Sequence, residues 1–442
     1  MAEDVSTRNP VLSTRGWSVA SAGAVTAWVV VATVLQITRQ PGIPAVDTIW
    51  AEDGQLFLAD AVRLGGGAIL NPAGGYLHLA PRLLALMAAA LPIQWSALVF
   101  ALGSALAVSL LSVYVFVASR PALPSVRGRA TIAAAMVLLP AAAFESVANA
   151  ANLQYYFLFA AFWTLVHRPA TRGGTIAASL VALVATGSTT LTVVFAPMAV
   201  WKAVRRHGLE RVVGVAFLIG LSVQALTVFR AVVLDADPTL AQYPVRWSGS
   251  DATDLPGLYG LRVGAALLFG DRWVDDVWRG LGWSLAVFGL AAAAILVAAA
   301  LVRGGSTLPW VLLAGGFSVL TFVLPATLRG TGHLLPTAEY SYAGNRFSLV
   351  PMWMLLTAVL AVVDRTRHHG PGLAVVVVLA VLTAASYRIP TPRSAGPPWS
   401  SEVVAAERVC SPGEVDEAVL HIAPAFRVPS AWRVQVPCER LR

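Results

Sequence analysis

Charge is scarce in this chain. Only 12% of its 442 residues are Asp, Glu, Lys or Arg, where soluble domains carry about 25%. Hydrophobic residues make up 57%, and the mean hydropathy is +0.70. This excludes an ordinary soluble domain and points to a polytopic membrane protein. Lysine is nearly missing: Lys202 is the only one, and every other base is arginine. With so much Ala, Val and Gly, that bias suggests a GC-rich bacterial genome. The net charge of +8 follows membrane topology, so no nucleic-acid partner is expected. Cysteine is confined to Cys410 and Cys438, both in the polar C-terminal tail, with no His or Cys at zinc spacing beside them. A pair absent from the membrane part is what a small extracytoplasmic disulfide looks like; free thiols or a metal pair are the alternatives. No small-residue cleavage site follows the first apolar run within signal-peptide length, so that run reads as an uncleaved first helix.

Apolar runs fall at 18–38, 96–119, 130–144, 153–166, 175–186, 190–201, 212–234, 281–302, 308–324, 347–363 and 373–386. They predict an all-α polytopic protein of about eleven transmembrane helices. The run 79–91 is shorter, with Pro81-Arg82 at its start and Pro92 at its end, and reads as an interfacial helix. Every loop on the N-terminal side is then basic: Arg120, Arg127 and Arg129; Arg168 and Arg172; Lys202, Arg205, Arg206 and Arg211; Arg303; Arg365 and Arg367. Acids are few there, namely Glu3, Asp4, Glu210 and Asp364. The positive-inside rule makes that side cytoplasmic. The expectation is a bacterial plasma-membrane protein, N-terminus in and C-terminus out, with both cysteines in the oxidising compartment.

This divides the chain into a membrane part, 1–386, and an extracytoplasmic tail, 387–442. The large outer loops are 39–95, 235–280 and 329–346. The runs 175–186 and 190–201 are too short to cross about 30 Å at 1.5 Å per residue, and they meet at Gly187-Ser188-Thr189, a turn signal. A hairpin ending below the outer surface would leave a recess roofed by the outer loops.

The first outer loop carries Glu52-Asp53-Gly54, followed by an amphipathic stretch, 55–64. Adjacent acids at a membrane surface repel each other and resist desolvation. A site that takes a proton from a hydroxyl, or holds a cation, needs such groups. A solvated acid pair is the plain alternative. Arg82 and Arg346 lie on the outer side where helices enter the membrane, and arginine suits bidentate contact with phosphate; interfacial snorkelling is the plain reading of both. His78 could bind phosphate or shuttle a proton, although a lone interfacial histidine is more often structural. A polar island, Glu145 to Tyr156, joins two spans on the outer side. Its Glu145, Asn149, Asn152 and Gln154, with Tyr342 from the last outer loop, are candidate acceptor or sugar contacts, because amides and hydroxyls both donate and accept.

In the place of its acid pair and in its topology, the chain resembles the GT-C class of membrane glycosyltransferases. The resemblance covers about Trp17 to Ser386 as architecture and motif position; the tail has no counterpart. It implies a polyprenyl-phosphate-linked sugar as donor and a glycan, glycolipid or protein acceptor. It also implies a first-loop acid as base, in some members with a divalent cation. Here Glu52 and Asp53 would be the catalytic acids and the candidate ligands of any Mg or Mn, with Asp53 favoured as base because Gly54 leaves room for an acceptor. The stretches 55–64 and 79–91 match the juxtamembrane helices of such enzymes. Arg346 resembles the arginine-aromatic step before a late span; it, Arg82 and His78 would hold the donor phosphate. Other readings are a transporter or flippase, a non-catalytic envelope assembly protein, and a polysaccharide polymerase or ligase. A carrier fits less well, since the spans are nearly free of buried charge and show no internal repeat.

Overall fold

A computed structural model describes residues 19–143, 145–234, 252–303, 307–329, 334, 346–365, 370–411, 415–425 and 432–441. Each expected span has a helical counterpart: Val19–Thr38, Ser96–Ala118, Val126–Leu138, Leu153–Val166, Arg172–Ser188, Ala196–Arg205, Gly208–Phe229, Trp283–Arg303, Leu308–Arg329, Arg346–Val363 and Gly370–Ala385. Among the described residues, five helices are long and apolar enough by themselves to cross a membrane: Ile93–Ala118, Gly208–Leu234, Trp283–Val302, Leu308–Leu328 and Arg346–Val363.

Local chemistry moves several boundaries. The helix expected from 130 begins at Val126, because Ser125 caps it by accepting from the Gly128 N–H at 2.9 Å. It ends before Pro140, whose missing N–H and fixed ring oppose continuation, and a 3-10 turn, Pro140–Ala143, follows. The hairpin breaks where expected. Helix Arg172–Ser188 stops at extended Thr189, whose side chain caps a 3-10 turn, Thr190–Phe195, ahead of helix Ala196–Arg205.

The first outer segment holds helices at the two stretches expected, 55–64 and 79–91. A π-turn, Asp53–Leu58, runs into helix Ala59–Leu64, and helix Leu79–Ala89 follows. The second outer segment, expected as loop, holds helices Leu255–Tyr259, Ala266–Phe269 and Asp271–Leu281.

Helix Arg346–Val363 is the most enclosed of the five long spans. Its Trp353 packs against Tyr156 and Phe159, with ring centroids 5.0 and 5.3 Å apart. The Trp353 indole N–H donates to the Ala135 carbonyl at 3.0 Å, since a buried indole needs a partner. This central helix carries Arg346 at its first position.

The tail corrects the all-α expectation. After helix Trp399–Cys410, strands Glu417–His421 and Arg433–Pro437 pair antiparallel, with Val419 opposite Gln435. Ala418, Leu420, Val434 and Val436 face inward and are buried, the alternation a half-buried strand requires. A Cys410–Cys438 disulfide is present. The tail sits on the first outer segment. The Ala51 N–H donates to the Ala423 carbonyl at 2.6 Å, and the Ala423 N–H to the Ile49 carbonyl at 3.0 Å. Asp47 accepts from the Ser400 N–H and hydroxyl at 2.8 and 2.9 Å, satisfying an amide at the start of helix Trp399–Cys410. The Trp399 indole reaches the Ile93 carbonyl at 2.9 Å.

Candidate functional site

The two neighbouring acids point into different surroundings. Asp53 is fully buried. One carboxylate oxygen accepts from the Ala150 N–H at 3.0 Å, the other from the Ala151 N–H at 2.7 Å. Burial pushes its pKa up to about 7, while the Ala150 and Ala151 amides and the Arg393 cation pull the other way. Asp53 therefore ties the first outer segment to the 145–152 loop, with neither oxygen turned to a recess. The room expected at Gly54 is filled. A Cβ there would lie 2.5 Å from Ile422, 2.7 Å from Val434 and 3.0 Å from Ile49, so glycine at this position admits the tail.

Glu52 faces Arg346. Its carboxylate lies 3.8 Å from the guanidinium, whose Nε is 3.6 Å from Glu145. The Glu145 carboxylate also accepts from the backbone N–H of Arg346, placing negative charge at the start of helix Arg346–Val363, where the helix dipole favours it. Burial raises the Glu145 pKa, opposed by Arg346 and reinforced by Glu52. Side-chain exposure is 20% for Glu52, 24% for Arg346 and 10% for Glu145, so Glu52 is the more open of the two acids. Its Oε2 has no hydrogen-bond partner among the described residues. Tyr76 and Tyr155 lie close enough to act electrostatically on Arg346. The Tyr76 hydroxyl donates to the Gln154 side-chain oxygen at 3.3 Å, and the Gln154 amide donates to the Ala151 carbonyl at 3.2 Å. Two carboxylates, one arginine, a phenol and an amide thus converge.

The other candidates fall elsewhere. Arg82 is fully buried. Both its terminal nitrogens donate to one Asp60 oxygen at 3.1 Å, and its guanidinium lies 5.5 Å from the Phe57 ring centre. Asp60 also accepts from Asn71 and Arg63. Arg82 thus braces the first outer segment and does not join Arg346. His78 stands behind Tyr76, its ring centroid 4.1 Å from the tyrosine ring and its Nδ1 3.1 Å from the Tyr76 carbonyl. Asn149 and Asn152 are buried and bonded within their own turn. The Asn149 side-chain oxygen accepts from the Asn152 N–H and amide, both at 3.0 Å, and both side-chain amides donate to the Glu145 carbonyl. These bonds shape the loop that carries Glu145. Tyr342 lies outside the described residues.

Sequence reasoning missed Tyr76 and Arg393. The only cue to Arg393 is its setting, Pro390-Thr391-Pro392-Arg393-Ser394-Ala395-Gly396, a composition that forces irregular backbone with carbonyls to satisfy.

The donor set does not fit the expected chelation of Mg or Mn by Glu52 and Asp53 together, because Asp53 is fully buried on two backbone amides while Glu52 turns to Arg346. Glu52 and Glu145 already share a guanidinium. Among the described residues no three His, Cys, Asp or Glu side chains gather.

No protein-family model matches the chain, and no curated protein matches it in sequence. Among solved structures it is similar to the oligosaccharyltransferase of Archaeoglobus fulgidus in complex with Zn and sulfate. There the identity is 12% and the TM-score 0.41, over 87% of this chain and 56% of that one. It is similar also to the oligosaccharyltransferase AglB of the same organism with an inhibitory peptide and a dolichol-phosphate. There the identity is 11% and the TM-score 0.42, over 90% and 59% of the two chains. The chain thus spans less than two thirds of the length of those proteins. At these scores the likeness bears on neither family nor activity.

Proposed function

We propose that this chain is a GT-C-like membrane glycosyltransferase that moves a sugar from a polyprenyl-phosphate donor to an envelope glycan, glycolipid or protein acceptor. The observation that carries the reading is Arg346 held between Glu52 and Glu145 at the mouth of the central helix. Its ion-pair distances of 3.8 and 3.6 Å exceed the roughly 2.7–2.9 Å of a charge-assisted hydrogen bond. The guanidinium is therefore held by charge more than by close hydrogen bonds, and among the described residues its donors can turn toward a phosphate.

In this mechanism the acceptor hydroxyl attacks the anomeric carbon on the face opposite the phosphate. Glu52 takes the hydroxyl proton as the new C–O bond forms. The bond from the anomeric carbon to the phosphate oxygen breaks, and its electron pair leaves with the polyprenyl phosphate. Arg346 stabilises the charge that gathers on that phosphate. A single displacement of this kind inverts the anomeric centre. Tyr76 and Gln154 lie beside the cluster, where they can meet sugar hydroxyls. Glu145 keeps Arg346 in place. The base is thus Glu52, with Asp53 as a structural tie.

The orientation that goes with this chemistry is eleven spans in a bacterial plasma membrane, with the N-terminus cytoplasmic and the tail outside. Reporter fusions after Arg129 and Arg206 should score cytoplasmic, and a fusion after Arg393 external. The deciding experiment compares envelope lipids and glycans, by mass spectrometry, in a deletion strain carrying the wild-type chain, Glu52→Gln or no chain. The expected outcome is a glycan or glycolipid lacking one sugar in the last two strains, with the polyprenyl-phosphate sugar accumulating. Full restoration by Glu52→Gln would overturn the transferase reading and favour a non-catalytic assembly protein.

A further inference from the structure

Arg393 belongs to the tail and bonds to neither Glu52 nor Arg346, yet it makes the densest set of polar contacts near the site. An arginine side chain has five N–H donors in a fixed fork. Here five bonds are made: Nε to the Thr48 hydroxyl at 3.1 Å, Nη1 to the Val147 and Ala148 carbonyls at 3.0 and 2.8 Å, and Nη2 to the Ala45 and Thr48 carbonyls, both at 3.2 Å. The side chain is buried. Its acceptors lie in two segments only, one just ahead of Glu52 and one just after Glu145. The second is backbone under strain. Ala148 has φ +54°, a left-handed conformation that is unfavourable for a residue with a Cβ and persists only where its surroundings enforce it. From the other side the same loop is held by Asp53 through the Ala150 and Ala151 amides. The loop therefore lies between a cation that takes its carbonyls and an anion that takes its amides.

We propose that Arg393 is a positioning residue, by which the C-terminal tail holds the 145–152 loop against the first outer segment so that Glu145 presents Arg346 beside Glu52. The proposal rests on the reading of Arg346 as the phosphate ligand. It gives the tail a role in the site itself. A lysine could supply the charge, but with three donors on one nitrogen it cannot span both segments.

The test uses the full chain in lipid nanodiscs, as wild type, Arg393→Ala, Arg393→Lys and Arg346→Ala. Folding is checked by monodisperse elution and by mapping of the Cys410–Cys438 bridge. The first measurement is amide hydrogen exchange in peptides covering 145–153, which needs no ligand. The second is binding of undecaprenyl monophosphate as the probe. Faster exchange and about ten-fold or greater loss of probe affinity are expected in both Arg393 variants, from the loss of several buried charged hydrogen bonds. Added methylguanidinium should recover binding in Arg393→Ala, and methylammonium should not. If Arg393→Ala does not fold, Arg393→Lys decides, since it keeps charge and bulk.

Unchanged exchange in a folded Arg393 variant overturns the proposal. So does a loosened loop with wild-type probe affinity, which leaves the phosphate reading standing. Failure of that reading is visible separately, as a wild-type chain that does not bind the probe or an Arg346→Ala chain that binds it normally, and the positioning role then falls with it.

Discussion

Asp53→Asn separates a structural tie from a catalytic base. In the wild type both carboxylate oxygens accept backbone amides, at 2.7 and 3.0 Å, in a fully buried site. Asparagine keeps one acceptor and sets an NH2 against the other N–H. An unmade buried hydrogen bond of this kind costs about 1–3 kcal/mol. The pH dependence has a definite sign. The folded-state pKa is raised from 3.8 to about 7, so the folded chain binds this proton more tightly than the unfolded chain. The stabilisation is fully present below about pH 4 and is lost as the pH rises toward 7, at about 1.4 kcal/mol per pH unit. Asparagine does not titrate. Relative to the variant, the wild type should therefore lose about 2–3 kcal/mol of stability between pH 5 and pH 8. An unfolding entropy of about 2.1 cal/mol/K per residue makes 2 kcal/mol a shift of about 2 °C for a chain of this length. Intrinsic-fluorescence melting in detergent at pH 5, 6, 7 and 8 resolves that. At pH 8 the variant should still restore envelope glycans to the deletion strain. A variant with wild-type melting at every pH and no glycan restoration would refute this reasoning and return the role of base to Asp53.

Glu52→Gln should leave melting and polyprenyl-phosphate binding unchanged but lower transfer by about 10²–10⁴-fold, the usual contribution of a positioned base; transfer within a few-fold of wild type would remove Glu52 from the chemistry. Arg82→Ala leaves Asp60 without its buried partner. It should destabilise the chain by about 1–3 kcal/mol, since Asp60 keeps Arg63 and Asn71, and leave probe affinity in the folded fraction unchanged, whereas Arg346→Ala should abolish probe binding. Cys410→Ser opens a bridge across a sequence separation of 28. In the chain-entropy picture this removes about 3–4 kcal/mol from the tail, to be read as earlier proteolysis of 399–441 in the variant; an unchanged cleavage rate would contradict it.

Much of the architecture was legible because hydrophobicity reports burial directly. A lipid environment demands long apolar runs with internally satisfied backbone, and each such run has a helix within or across it in the structure. The break at Thr189, the short helix Leu79–Ala89 and the pairing of Cys410 with Cys438 were legible as well. The sequence singles out Asp53 and Glu52 as a pair but does not tell them apart. Adjacent residues at a helix start point in different directions, and only the packing partners decide that one meets two amides and the other a guanidinium. Arg82 and Arg346 look alike in sequence, each at the mouth of a helix; the neighbour that claims each, Asp60 or the Glu52–Glu145 pair, arrives from a distant or differently folded segment. Gly54 reads as open space from composition alone and is filled by Ile422 and Val434, far along the chain. The docking of the tail was the least legible, because a hydrogen-bonding fork such as Arg393 leaves no periodic trace, and four of its five acceptors are backbone carbonyls. Local composition determined which segments are apolar and helical; long-range contacts decided which partner each polar group meets.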